Sequence, residues 1–264
     1  MAGLNWPSLL DRACLATNSS PEMPGALQKA RRLLLFGASG YIGQQVEEKF
    51  TSEGWQVVAT GRHPRCGGGK GTAYWLELDP SDPKFDGSSL DSFAPFAAVC
   101  WAQGANLNDS IYDVDRDSHM ELYRANCLFI VVTLQKLLAR KLLGEVSRLC
   151  VVSSIWQNIA RQNKFSYCVT KSALQGLVLS AAADLAAEGH LINAVLPGAL
   201  DTPMTRRNLS PEQINLLSTA TKFNRLSSLD DVANLVFYLC SPHNTGITGQ
   251  FIAADLGFSH VRIL

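Results

Sequence analysis

The sequence has no excess of charge of either sign. Its 264 residues include 23 Lys plus Arg and 23 Asp plus Glu, so the formal net charge at pH 7 is zero. A chain without net positive charge has no overall attraction for nucleic acid or for an acidic membrane surface. We therefore expect a small-molecule partner, and neither nucleic acid nor a membrane.

The cysteines and histidines lack the spacing typical of a disulfide framework or a metal site. The seven cysteines are odd in number and scattered, with no C-x-x-C pair, and the five histidines show no metal-ligand spacing. Scattered cysteines in apolar runs are typical of reduced thiols, which predicts a cytoplasmic protein. The histidine pattern predicts no metal site.

Long hydrophobic runs are also missing. No segment reaches the length that we expect of a membrane span, and residues 1–31 lack the continuous apolar core of a secretory signal. We expect residues 1–31 to form a flexible extension or an interface arm. No break in composition divides the rest, so residues 32–264 are predicted to form one domain that contains both the cofactor and the substrate sites.

Short apolar runs alternate with helical patterns along that domain. The strand-like runs are RLLLF, QVVAT, TAYWLEL, AAVCW, LCVVS, LINAVL and QFIAA. Several are apolar almost throughout, as expected when helices cover both faces of a parallel sheet. The order predicts the α/β class, as a single doubly wound Rossmann-fold domain with about seven parallel strands.

A serine, a tyrosine and a lysine form the most informative pattern. Tyr167 lies four residues before Lys171, so the two share one face of a predicted helix, and Ser154 follows a buried strand. A phenol of ordinary pKa about 10 is a poor acid–base catalyst near neutrality, and a nearby cation lowers that pKa. Ser154 could then hydrogen-bond a substrate oxygen as charge develops. The tyrosine–lysine pair alone is weak evidence, because a solvated helix face can contain it by chance.

A glycine-rich turn follows the first predicted strand and precedes a helix. Glycines there allow close approach of a pyrophosphate, and the helix N-terminus offers free N–H groups. A tight strand-to-helix turn without ligand is the alternative. The residues predicted to bind a dinucleotide at this turn are Gly37, Ser39, Gly40, Tyr41, Ile42 and Gly43.

The end of the second strand bears on the choice of cofactor. Gly61 and Arg62 stand where an NAD-binding protein usually has an acidic residue. An arginine can make a bidentate contact with a 2′-phosphate, so the sequence favours NADP(H), with NAD(H) as the other possibility. Arg62 as a solvated loop residue is the alternative.

These features together resemble the short-chain dehydrogenase/reductase family, in the single-domain branch near the 3-oxoacyl-[acyl-carrier-protein] reductases. The resemblance runs from about Leu33 to Ser259. The motifs that carry it are Ser154 with Tyr167-x-x-x-Lys171, Asn126, NAVLPGALDTPMT at 193–205, and the closing segment DDVANLVFYLCSPHNTGITGQFIAADLGFS.

The resemblance implies roles for individual residues. Tyr167 would be the general acid–base and Ser154 would polarise the carbonyl. Lys171 would bind the nicotinamide ribose and lower the pKa of Tyr167, while Asn126 would hold a water in a proton relay. Tyr167 and Lys171 would thus also touch the cofactor, and the further contacts implied are Asp79, Gly104, Pro197, Gly198 and Thr202. Without the resemblance, the favoured interpretation of Asn126 is an amide at a helix bend, and Asp79 is an ordinary turn residue.

The chain departs from the family pattern at several positions. Phe36 precedes Gly37 and the glycine spacing is GxxGxxG, whereas the branch usually has TGxxxGxG. The usual NNAG is replaced by Trp101-Ala102-Gln103-Gly104, and Leu256 stands where a glycine is common.

The expected function is an NADP(H)-dependent oxidoreductase that reduces a ketone or oxidises a secondary alcohol. Two alternatives stay open: a nucleotide-sugar epimerase or dehydratase, indicated by GxxGxxG, and a dinucleotide-sensing protein without catalysis, indicated by the altered motifs. The resemblance also implies a homodimer or homotetramer formed through the long helices.

Two segments are expected to shape the substrate cavity. The first lies between Ser154 and Tyr167 and contains Trp156, Gln157, Asn158, Arg161, Gln162 and Phe165. The second follows Thr202 and is predicted to be a helical lid. Its Arg206 and Arg207 could meet an anionic group or form an exposed basic face.

Overall fold

Seven parallel strands form the centre of the structure, a computed structural model that describes residues 31–63 and 74–261. The strand order is β3-β2-β1-β4-β5-β6-β7. The strands are β1 (Arg32–Phe36), β2 (Gln56–Gly61), β3 (Tyr74–Glu77), β4 (Phe96–Trp101), β5 (Leu143–Val152), β6 (Leu191–Pro197) and β7 (Phe251–Ala254). The predicted doubly wound fold is confirmed. The predicted extension lies outside the described residues except for its last residue, and so does Cys66.

Helices cover both faces of the sheet. They are α1 (Tyr41–Ser52), α2 (Arg116–Tyr123), α3 (Phe129–Ala139), α4 (Phe165–Asp184), α5 (Pro203–Asn208), α6 (Pro211–Thr219) and α7 (Leu229–Cys240). Helices α1 and α7 pack on one face of the sheet, and α3 and α4 on the other. Ser228 begins α7 with a capping box, and Asp115 caps α2 by accepting the N–H of Ser118.

Strand β1 shows why the apolar runs do not alternate with polar residues. Leu33 and Leu35 contact the α1 and α7 side, whereas Leu34 and Phe36 contact the other side, and all four are fully buried. Side chains of a strand point alternately to its two faces, so a strand covered on both faces needs apolar residues at every position.

Helices α2 and α3 form one continuous helix through a π-helical turn at Arg124–Leu128. By length and composition, Arg116–Ala139 is apolar enough to cross a membrane, so the expectation that no segment reaches that length is wrong. Length and composition are weak evidence for a membrane span, because helices in the core of a protein can have the same properties. Leu122, Ile130 and Leu137 of this helix are buried, as in a helix packed on a sheet.

The order of the strands determines where a ligand can enter. The chain continues outward from β1 through β2 to β3, and then returns to place β4 on the other side of β1. Connections leave in opposite directions from the carboxyl ends of β1 and β4, which opens a crevice there. The predicted glycine turn follows β1, so the fold brings this turn to the crevice.

Candidate active site

A cleft of about 580 Å³ opens at the carboxyl ends of the strands. Segments that are distant in sequence form its walls: the start of α1, the loops after β4, β5 and β6, and parts of α4, α5 and α6. The predicted site residues that line it are Gly40, Tyr41, Ile42, Gly104, Ser154, Tyr167, Lys171, Pro197, Gly198 and Thr202. The predicted residues outside the lining are Gly37, Ser39, Gly43, Arg62, Asp79 and Asn126.

The glycines at the start of α1 have different structural roles. Gly37 has a φ of 77°, and a Cβ there would lie 2.4 Å from the Gln103 nitrogen. A Cβ on Gly43 would lie 2.2 Å from the Gly37 carbonyl oxygen, so these two glycines allow a tightly packed turn. Gly40 is the N-cap of α1 and provides no side-chain cap, so the first N–H groups of the helix remain available to a ligand. Ser39 is exposed, and its carbonyl accepts a hydrogen bond from Gln44.

Ser154, Tyr167 and Lys171 meet in the cleft as the sequence predicts. Ser154 lies two residues after the end of β5 and caps a short 3₁₀ turn by accepting the N–H of Trp156 at 3.3 Å. Tyr167 and Lys171 lie on α4, with the Lys171 Nζ 5.7 Å from the centre of the tyrosine ring. The same Nζ donates a hydrogen bond to the carbonyl of Val152 at 3.2 Å.

Burial changes the acidity of both α4 residues. Desolvation lowers the pKa of Lys171 to about 8. Desolvation raises the pKa of Tyr167 above its ordinary value, while a hydrogen bond with Ser154 lowers it in part. The pKa of Tyr167 is thus raised overall, because removal of the phenol from water outweighs the hydrogen bond with Ser154. The expectation that Lys171 lowers this pKa stays a prediction.

Asn126 lies in the π-helical turn and connects three segments. Its Oδ1 accepts the N–H of Ala105 at 2.8 Å, and its Nδ2 donates to the Ala105 carbonyl at 3.2 Å and to the Thr170 hydroxyl at 3.0 Å. Asn126 therefore lies at an irregularity of the helix, as its interpretation as an amide at a helix bend expects. Its amide also connects the loop after β4 to α4. Because both donors of Nδ2 are used, the water relay expected of Asn126 stays a prediction.

Two predicted cofactor contacts lie at the edge of the crevice. Arg62 is exposed just after β2, and it has no hydrogen bond or ion pair in the described part of the chain. A Cβ on Gly61 would lie 2.5 Å from the Trp75 ring, so Trp75 occupies the space that a carboxylate side chain would need at that position. Asp79 is exposed and its carboxylate accepts the N–H of Ser81 at 3.0 Å, which is the geometry of a turn.

Lys164 is a site residue that the sequence reasoning missed. It is the N-cap residue of α4, only 8% exposed, and its Nζ lies 5.8 Å from the centre of the Tyr167 ring. The Nζ donates to the side-chain oxygens of Asn106, at 2.7 Å, and Asn108, and more distantly to the Leu107 carbonyl. These acceptors belong to a loop far away in sequence, so no local pattern indicates the contact.

A second missed group anchors the first turn of α4. Asp109 accepts the N–H of Ser166 at 2.9 Å and also its hydroxyl, and the Asp109 carbonyl accepts the N–H of Phe165 at 3.1 Å. His119 of α2 lies 2.7 Å from the same hydroxyl. The sequence next to α4 gives no indication of this helix cap, because the capping carboxylate of Asp109 is distant in sequence from the start of the helix.

Gln103 is the third residue that the sequence did not indicate. It lines the cleft beside the glycine turn. Both polar atoms of its amide are buried without a hydrogen-bond partner in residues 31–63 and 74–261. A buried amide without a partner is costly, so a polar ligand at this turn would stabilise it.

The predicted lid consists of α5 and α6. Thr202 caps α5 by accepting the N–H of Thr205, and Met204, Leu209 and Leu217 line the cleft. Arg206 binds Asp201 through two hydrogen bonds of 2.8 Å, outside the cleft lining. Arg207 is exposed and donates to the Pro203 carbonyl. The anionic contact suggested for these two arginines therefore has no support in the structure.

The other substrate segment contributes fewer residues than expected. Trp156 and Arg161 line the cleft, whereas Gln157 is buried and accepts a hydrogen bond from Ser153 at 2.8 Å. Asn158, Gln162 and Phe165 lie outside the lining. Within the described ranges, no three His, Cys, Asp or Glu residues are grouped to hold a metal ion.

Comparison with known proteins adds to this geometry. A family model described as enoyl-(acyl carrier protein) reductase matches residues 84–259. The chain is 25% identical over 245 residues to the NADP-dependent (R)-specific alcohol dehydrogenase of Lentilactobacillus kefiri, covering 88% of this chain and 97% of that protein. It is 27% identical over 255 residues to the 2-keto-3-deoxy-L-fuconate dehydrogenase of Xanthomonas campestris pv. campestris, covering 92% and 85%.

A solved structure of ElxO with NADP bound has the same fold. Its TM-score with this chain is 0.78 at 22% identity, covering 87% of this chain and 98% of that one. The shared fold includes the crevice where the predicted site residues converge.

Proposed function

The chain belongs to the short-chain dehydrogenase/reductase family of NAD(P)-dependent oxidoreductases, and we propose that it interconverts a ketone and a secondary alcohol with Tyr167 as the acid–base group. The observation that carries the proposal is the convergence of Ser154, Tyr167 and Lys171 in one cleft that also contains the open N-terminus of α1. A catalytic site needs its acid, its polarising group and its cofactor-binding surface in one place.

The residues of the cleft fit a nicotinamide dinucleotide. The uncapped first turn of α1 would bind the pyrophosphate, and the unpartnered amide of Gln103 lies beside that turn. The buried Lys171 ammonium, which also lines the cleft, would bind ribose hydroxyls. The resemblance assigns the nicotinamide end to Pro197, Gly198 and Thr202, which also line the cleft. The bound cofactor would supply the hydride.

The protonation state of Tyr167 favours its role as an acid in reduction. Because desolvation raises its pKa, the phenol is neutral near pH 7 and has a proton to donate to the carbonyl oxygen. The Lys171 ammonium stabilises the phenolate that forms as the proton leaves. Ser154 donates a hydrogen bond to the same substrate oxygen. Asn126 acts as a positioning residue, because its amide holds the cleft wall next to Lys171.

Arg62 supports a preference for NADP(H). The guanidinium is exposed at the end of β2 with no partner in the described residues, and the packing of Trp75 against Gly61 leaves no space there for a repelling carboxylate. NAD(H) remains the second candidate.

The rival functions have less support. The GxxGxxG spacing that indicates an epimerase has a packing explanation, because a Cβ on Gly37 or Gly43 would lie within 2.4 Å of backbone atoms. A sensor without catalysis would not require Ser154, Tyr167 and Lys171 to converge.

The first prediction tests the acid–base role. We expect Tyr167→Phe to reduce kcat for carbonyl reduction by about 10²–10⁴-fold, because the proton donor is lost. The dissociation constant for NADPH, measured by fluorescence titration, should change by no more than a few-fold. Tyr112→Phe, at a tyrosine that is 96% exposed, is the matched control and should keep wild-type turnover. Full activity of Tyr167→Phe would reject the mechanism.

The second prediction concerns pH. Lys171 has a pKa of about 8, and its charged form is needed to stabilise the phenolate. For reduction, kcat/KM should therefore fall as the pH rises through about 8. In Lys171→Arg the charge persists, so the decline should move to higher pH. A pH profile that is flat up to pH 9.5, or one that Lys171→Arg leaves in place, would contradict this role.

The third prediction tests cofactor preference. Arg62→Ala should weaken NADPH binding by about 10-fold or more, because a charge-assisted contact with the 2′-phosphate is lost. NADH binding should change by less than about threefold, and Arg62→Lys should lie between the wild type and Arg62→Ala. Isothermal titration calorimetry gives the dissociation constants of both cofactors for the three proteins. An equal loss of affinity for NADPH and NADH would show that Arg62 does not bind the 2′-phosphate.

The fourth prediction tests assembly as a homodimer or homotetramer. Large apolar side chains are exposed on α2, α3 and α4 together: Met120, Tyr123, Leu128, Val131, Val169 and Leu179. Large exposed apolar side chains grouped on neighbouring helices are typical of subunit interfaces. We expect sedimentation velocity to show two or four copies, and Val131→Glu to shift the distribution to smaller species. Leu216→Glu, at a more exposed position in the lid, should leave the distribution unchanged. A monomeric wild type would refute the proposal.

A further inference from the structure

Positive charge dominates the cleft although the whole chain is neutral. Among the described residues that line the cleft, the charged ones are Arg161, Lys164 and Lys171, and none is Asp or Glu. Lys171 is accounted for by the proposed proton chemistry. The other two lie between Ser154 and Tyr167, on the wall assigned to the substrate.

Arg161 is available for a ligand. It is half-buried, and it makes no hydrogen bond or ion pair within residues 31–63 and 74–261. Its guanidinium therefore keeps five donors free in a planar arrangement that matches a carboxylate or a phosphate. The lid arginine Arg206 differs in this respect, because Asp201 already neutralises it.

Lys164 adds a charge, and its ammonium donates to no carboxylate in the described residues, although the charge of nearby Asp109 raises its pKa in part. Its hydrogen-bond acceptors are the neutral oxygens of Asn106, Leu107 and Asn108. Desolvation and the charge of Arg161 both lower the pKa of Lys164. Two cations on one wall repel each other, and such a pair is stabilised when an anion binds between or beside them.

We propose that the substrate carries an anionic oxygen group, a carboxylate or a phosphate, that binds Arg161 next to Lys164. This proposal rests on the proposed carbonyl reduction and names the substrate class for the same site. Arg161 makes the direct contact, and Lys164 adds positive potential while holding the loop at Asn106. The Lys164 Nζ lies 5.8 Å from the centre of the Tyr167 ring, so an anionic group bound beside Lys164 would belong to the same small substrate as the carbonyl that Tyr167 protonates. Short oxo acids and hydroxy acids have this form.

The test compares matched charged and neutral probes. The substrates are 2-oxobutanoate, 3-oxobutanoate and 4-oxopentanoate, each with its methyl ester, and turnover is followed by NADPH absorbance. Binding of each acid and ester to the protein saturated with NADP⁺ is measured by calorimetry, where no reduction can occur. Glyceraldehyde 3-phosphate distinguishes a phosphate from a carboxylate as the preferred group. The variants are Arg161→Gln, Arg161→Lys and Arg207→Gln.

We expect at least one anionic probe to bind about 10-fold more tightly than its neutral counterpart. Arg161→Gln should remove that preference by raising the dissociation constant and KM of the anion about 10-fold or more, while the ester and NADP⁺ change less than about threefold. Arg161→Lys should restore part of the effect, and Arg207→Gln should leave the preference intact.

Equal binding of acids and esters would overturn the proposal, as would a loss of NADP⁺ affinity in Arg161→Gln as large as the loss for the anion. A preference that is removed by Arg207→Gln and not by Arg161→Gln would also overturn it. The binding experiment separates this proposal from the reaction itself. Arg161-dependent binding of anions without reduction of any probe supports the anion site and counts against carbonyl reduction.

Discussion

The buried ammonium of Lys171 is the constraint on which the rest of the cleft depends. Lys171 is only 4% exposed and donates to one backbone carbonyl, that of Val152. A cation withdrawn from water without a carboxylate partner destabilises the folded protein, and its lowered pKa is the sign of that penalty. An apolar side chain would fill this position at lower cost. A charge kept at such a position is typical of a functional site, where it serves a ligand or a reacting group.

The fold could be predicted almost completely from the sequence, because apolar runs covered on both faces have a strong and local pattern. What the sequence did not reveal is how its departures from the family pattern are related. Phe36 and Trp101 are two such departures, and they are direct neighbours in the register of β1 and β4. Their rings stack nearly in parallel, with centroids 6.0 Å apart. Two changes that look independent in the sequence thus form one aromatic contact in the core, and they leave the crevice above it intact.

Two other departures also have local physical causes. Leu256 has a φ of 57°, in the left-handed region where glycine is favoured, which explains why a glycine is common at this position in the family. Gly61 allows Trp75 to pack against the end of β2, so the absence of an acidic side chain at this position has a packing cause. Both causes depend on backbone angles or contacts between strands, which a single sequence does not display.

The catalytic motif could be predicted, but the support that positions it could not. Helix α4 begins without a cap from its own N-cap residue, and the remote Asp109 accepts the N–H groups near its first turn instead. In the same loop, Asn106 accepts a hydrogen bond from Lys164, and Ala105 donates its N–H to the Asn126 side chain. The wall that carries the substrate-side charge and the helix that carries Tyr167 therefore share one set of hydrogen bonds. Because the two are joined in this way, a shift of the loop would move the positive charge and the phenol together, so the proposed substrate binding and the proposed proton transfer would depend on the same contacts.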